Sequence, residues 1–200
     1  GQEFLRQAQI RYTAGLSKEL SADLAIENPE QINTRNNAGA AANNANFQDK
    51  MPDLVAALRW RPTWGAVNVA GVLRNFNYDD GAGADDNAWG GGGHLGVTVK
   101  LWGKDYIGGV FNYGKGMGRY ITGIGALDYV VANGTQANSC AGRVAVTAGC
   151  GADIKVMSQW GGWASFTHYW TDTLRSNLVY GEGFNQVDTR NLGAAANGRT

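Results

Sequence analysis

The side chains best placed to do chemistry in this sequence are basic. Arg11, Arg59, Arg61, Arg74, Lys100 and Arg175 each sit in a stretch of alternating apolar and polar residues, on the side opposite its Ile, Leu, Val and Trp. A guanidinium offers a planar fork of donors that can hold a carboxylate bidentately, and it keeps its charge across the physiological range. A ladder of such groups along a wet surface can hand an anion onward, each contact being weak enough to release it. By the same parity Glu19, Asp23, Glu27 and Asp53 share that side. The plainer alternative is therefore that the arginines pair with wall carboxylates and keep the surface hydrated. Arg119 stands apart, in Gly114-Lys115-Gly116-Met117-Gly118-Arg119. Its three alternating glycines permit tight turning, which would let the segment fold inward and present Arg119 at a constriction.

Other chemistries have less support. The two histidines are His94 and His168, and Ser165 falls on the opposite face from His168 by parity, so no Ser-His pair is evident locally. His168 shares its face with Ala164, Phe166 and Trp170 and reads as an interface or subunit-contact residue. Gly109 to Lys115 fits part of a phosphate-binding loop, but Gly116 replaces the required Ser/Thr and no helical pattern follows. Nothing has the ligand spacing of a zinc site. No enzymatic activity, metal or cofactor is expected. Cys140 and Cys150 enclose a polar, Gly-rich segment, which suggests one local disulfide in an oxidising compartment, with two free thiols as the alternative.

These residues must be positioned by strands. The 200 residues carry 17 Lys+Arg against 17 Asp+Glu, so no global field draws in nucleic acid. Mean hydropathy is -0.30, and no uncharged apolar run approaches the ~20 residues of a membrane-spanning helix. Period-two alternation recurs over Gln7 to Thr13, Glu19 to Glu27, Leu54 to Arg61, Ala66 to Phe76, Leu95 to Leu101, Tyr106 to Tyr113, about Asp153 to Thr171, and Leu174 to Gly181. That predicts an all-β protein of about eight antiparallel strands, each near the length of a tilted transmembrane strand. The connections alternate short and long, with long loops at about 28–52, 77–92 and 115–152. An up-and-down transmembrane β-barrel has this rhythm, short turns at one rim and long loops at the other, which places the long loops outside the cell. Tyr12, Trp60, Trp64, Trp102, Tyr106, Tyr169 and Trp170 all fall near the short turns, where an aromatic girdle meets the membrane interface. The whole chain, 1–200, reads as part of a single barrel domain.

Several segments carry a family resemblance: Gln9-Ile10-Arg11-Tyr12-Thr13, Glu27-Asn28-Pro29-Glu30, Met51 to Ala56, and Trp64-Gly65 running into Val69 to Arg74. With Gly116 to Ile121 and Trp170 to Asn177, they resemble the DcaP-like porins of Gram-negative bacteria. The resemblance implies a homotrimeric barrel of about 16 strands in the outer membrane, of which this chain supplies about half. It also implies passive uptake of dicarboxylates and other small anions. The terminal strands of that family are not matched, and the chain starts at Gly1 without Met, so a fragment is expected. The expected partners are outer-membrane lipid and small anionic solutes. A closed outer-membrane barrel with structural or adhesive loops is the second reading, and an outer-membrane hydrolase the third.

Overall fold

A computed structural model describes residues 8–29, 48–79, 81, 83–121, 128–133 and 152–186. The strands are β1 (Gln9–Gly15), β2 (Leu20–Glu27), β3 (Asp53–Trp60), β4 (Gly65–Asp79), β5 (Asp85–Lys100), β6 (Tyr106–Lys115), β7 (Tyr129–Asn133), β8 (Ala152–Val156), β9 (Ser158–Tyr169) and β10 (Arg175–Gln186). Eight form one antiparallel sheet in the order β1-β2-β3-β4-β5-β6-β9-β10, and β7 pairs with β8 in a separate ribbon. Sequence neighbours pair throughout the large sheet except where β6 meets β9. Among the described residues β1 and β10 each pair on one side, so the sheet is not closed.

The register carries the alternation from strand to strand. Residues that face each other across a pair point to the same side. Ile10↔Ile26↔Leu54↔Leu73 is one row, and Leu58↔Val69↔Leu95↔Phe111 another. Both lie on a face that stays exposed: Ile10, Leu24, Leu58, Val69, Leu95, Phe111 and Leu178 are all open to the surroundings. So broad an apolar surface suits lipid and not water. The opposite face carries Asp23, Ala57, Ala70, His94, Asn112 and Gly161 in a single row.

The turns are short at one rim. Ser17 Oγ accepts from the amides of Glu19 and Leu20, and Thr171 Oγ1 accepts from those of Thr173 and Leu174, each hydroxyl bracing its own turn. Gly103 adopts φ 59° in the β5–β6 turn, a conformation that costs glycine nothing.

At the other rim the structure corrects the sequence reading. The stretch 77–92 is not a long loop: β4 and β5 pair continuously from Gly65↔Val99 to Asp79↔Asp85. Alternation fails to show this because it inverts. Below Leu73, β4 sends Val67, Val69 and Leu73 outward; above it, Asn75, Asn77 and Asp79 point outward while Phe76 and Tyr78 point inward. The inward pair, with Tyr129, Val131 and Ile154, forms the one described core cluster, the rings of Phe76 and Tyr129 lying 4.9 Å apart. The stretch 115–152 likewise contributes strand β7 and, at its end, the start of β8. The segment read as one strand over about Asp153 to Thr171 breaks at Met157, whose amide donates to the Asp128 carbonyl at 3.0 Å. Most of the loop at 28–52, together with Cys140, Cys150 and the intervening segment, lies outside the described residues.

Candidate functional site

The polar face is organised around Arg74, whose side chain is 0% exposed. It sits where β4 changes from an apolar to a polar outer face. Its Nε donates to Asp53 Oδ2 at 2.9 Å, and its Nη1 donates to Asp128 Oδ1 at 2.6 Å and to the Gly116 carbonyl. Phe76 and Tyr120 flank the guanidinium, their ring centres 5.0 and 5.2 Å from Cζ. The Tyr120 hydroxyl lies 2.9 Å from Asp53 Oδ2 and 3.0 Å from Glu27 Oε2. Two buried carboxylates therefore share one cation, with a phenol linking Asp53 to Glu27. A buried charge is tolerable only when paired in this way.

This cluster anchors an inward-folded segment. Gly116, at φ 67°, turns the chain out of β6, and its amide donates to the Met157 carbonyl at 2.8 Å. The amides of Tyr120 and Ile121 both donate back to the Met117 carbonyl, closing a tight turn. Buried Gln159 accepts from the Met117 amide. The wall beneath is cut to receive it: a Cβ at Gly92 or Gly114 would stand 3.0 or 2.7 Å from Met117 Cγ, and one at Gly161 would stand 2.5 Å from Ile121 Cγ2. Glycine in a strand marks a place where something must come close.

The other expected site residues divide by height along the sheet. Arg59 ion-pairs with Asp23 at 2.6 Å, and Asp23 also accepts from Thr13. Arg11, Arg61, Lys100 and Arg175 are exposed on or beside the polar face, the last three at its short-turn end. Lys100 Nζ donates to the Thr63 carbonyl at 3.1 Å, and Arg175 Nη1 lies 3.2 Å from the Tyr169 hydroxyl. Arg74 and Arg119 depart from the expected ladder. Asp53, Asp128 and the Gly116 carbonyl hold Arg74 in place, and Arg119, expected at a constriction, is buried at 4% exposure and not displayed. Glu27 is half-buried against Tyr120. Asp128, Tyr120 and Gln159 were not singled out by sequence. Asp128 lies 54 residues from Arg74, and periodicity says nothing across that distance.

Of the expected girdle side chains, Tyr12, Trp60, Trp64, Trp102 and Trp170 are exposed near the short turns, whereas Tyr106 and Tyr169, opposite Lys100 and Arg175, lie by register on the polar face. Trp60 and Trp64 meet edge to face at 5.4 Å, and Trp170 Nε1 donates to Ser176 Oγ at 3.0 Å. Asp105, in the β5–β6 turn, accepts from the Tyr169 amide at 2.8 Å and from His168 Nδ1 at 2.6 Å. Those bonds, the amide first, hold its carboxyl below the usual carboxylate range. Among the described residues no group of His, Cys, Asp and Glu is arranged to hold a metal ion.

Comparison with known proteins places this geometry. A family model described as the porin subfamily matches residues 2–196. The crystal structure of the outer membrane channel DcaP of Acinetobacter baumannii superimposes with a TM-score of 0.65 at 17% identity. The match covers 89% of this chain and 44% of that one, so the chain spans less than half the length of the channel. No curated protein matches.

Proposed function

Because the chain belongs to the porin subfamily, an integral outer-membrane family, we propose that its polar face lines an anion-preferring pore for small hydrophilic solutes such as dicarboxylates. The observation that carries this reading is an asymmetry of exposure. Asp23, Asp53 and Asp128 are buried and bound to arginines, and Glu27 is half-buried against Tyr120. Arg11, Arg61, Lys100 and Arg175 are exposed. Among the described residues, apart from Glu19 and Asp172 in the short turns and half-buried Glu27, the charge this face shows to water is positive, although the chain is neutral overall. Focused between low-dielectric walls, that charge raises the local anion concentration. The acids serve the architecture and the bases serve the solute.

The intact pore, recorded in a planar bilayer across a salt gradient, should give a reversal potential of the anion-selective sign. Cation selectivity would sink the proposal. A closed scaffold is the second reading, favoured by the inward segment 116–121, and an absence of unit conductance would support it. The proposal includes a homotrimer, long loops on the outer surface, and a Cys140–Cys150 bridge stiffening the longest of them. A free-thiol count of two would refute the bridge.

A further inference from the structure

We infer that the polar face also carries a saccharide-binding recess beside the inward segment, with Trp163 as its stacking platform and His94–Asn112 as its hydroxyl-reading pair. This inference shares with the pore reading the premise that the face is wetted, and it is independent of anion preference. Trp163 is the large aromatic of its stretch of the polar face, set among Gly96, Val110, Gly161 and Gly181, and it is 47% exposed. Its neighbours on that face leave the ring open: Gly181 lies directly across one strand pair, Val110 across the other, and Gly161 two residues earlier on β9. A glycine-flanked tryptophan keeps flat apolar area open to a ligand among the described residues.

The recess around it has a volume of about 480 Å³, within the range of small-molecule sites. Ile121 of the inward segment closes one side, and the Tyr120 ring stands beside it. His94 Nδ1 lies 2.7 Å from Asn112 Oδ1. With Nδ1 donating, the neutral imidazole offers Nε2 as an acceptor. That atom lies along the wall toward the Gly96–Val110–Trp163 row, 3.2 Å from where a Cβ on Gly96 would stand. Among the described residues the lining contains no Lys or Arg, and the side chain of Glu182, opposite Gly162, lies by register on the apolar side of the sheet. A carboxylate would find no counter-charge here. A neutral ring with C–H bonds on one face and hydroxyls at its edge finds a stacking plane and a fixed acceptor.

Isothermal titration of the full-length protein in detergent with sucrose, and separately with sodium benzoate, tests this. Saturable sucrose binding is expected, weakened about tenfold or more by Trp163→Ala, less by Trp163→Phe, and measurably by His94→Ala. Heat-modifiable migration of each variant establishes that its barrel has formed. Binding of sucrose that survives Trp163→Ala in a folded barrel, an absence of sucrose binding by the wild type, or tighter binding of benzoate than of sucrose overturns the inference. Conductance without sucrose binding removes the recess and keeps the pore; sucrose binding without conductance does the reverse.

Discussion

At the scale of single residues, Arg74 does the most positioning, and removing its charge should cost more than removing any rim arginine. Arg74→Met leaves Asp53 and Asp128 buried without their cation, a loss on the order of 3 kcal/mol. Thermal unfolding of the reconstituted protein should fall accordingly, and unit conductance should rise as residues 116–121 lose their anchor; unchanged conductance would show that the segment is held elsewhere. Arg61→Gln with Lys100→Gln should leave stability nearly untouched and shift the reversal potential toward cations. Asp105 supplies a pH prediction. Its folded carboxyl titrates below the unfolded value of about 3.9, so its contribution is fully present above that value and fades as pH falls through the lower, folded one. Wild type should therefore lose thermal stability on acidification below about pH 4 more steeply than Asp105→Asn, as scanning calorimetry over that range would show.

At the scale of elements, parity identified the polar face correctly, because one face of each strand meets lipid and the other does not. It failed where that condition lapses. Asn75, Asn77 and Asn87 face outward in β4 and β5, and the three amides hydrogen-bond to one another above the apolar belt. Phe76 and Tyr78 face inward against β7 and β8, so the usual pattern is reversed and reads as a loop. The inward fold of the Gly-rich segment was legible from its glycines, whereas the fate of Arg119 was not, since burial depends on what the segment packs against. Gly114→Ala tests the fit of that segment. Its Cβ would fall 2.5 Å from the Gly91 carbonyl oxygen and 2.7 Å from Met117 Cγ. Backbone cannot yield as a side chain can, so a loss of roughly 1–3 kcal/mol is expected in urea-induced unfolding from lipid vesicles. Gly161→Ala meets the Ile121 Cγ2 methyl at 2.5 Å but no backbone atom nearer than 3.7 Å, and should cost less.

At the scale of the whole molecule, the two sheet edges set the terms. A bilayer offers no hydrogen-bond partners, so every backbone group of β1 and β10 must be satisfied by further strands. On the proposed pore reading the eight strands of the described sheet form one arc of a larger wall; the match to the DcaP channel covers 44% of that chain. Refolded by itself into vesicles, the 200-residue chain should pair edge to edge between copies, and crosslinking should trap those contacts. The cluster of Phe76, Tyr78, Tyr129, Val131 and Ile154 has a further consequence. Rings on the lipid side gain little from being hidden from water, since their surroundings are oily whether or not the wall is intact. The cluster's rings gain much, as they would inside any water-soluble protein. One chain is thus held together in two different solvents, and its parts should come apart separately. Moderate urea should release the β7–β8 ribbon first, its amides exchanging with deuterium while those of β4 to β6 remain protected.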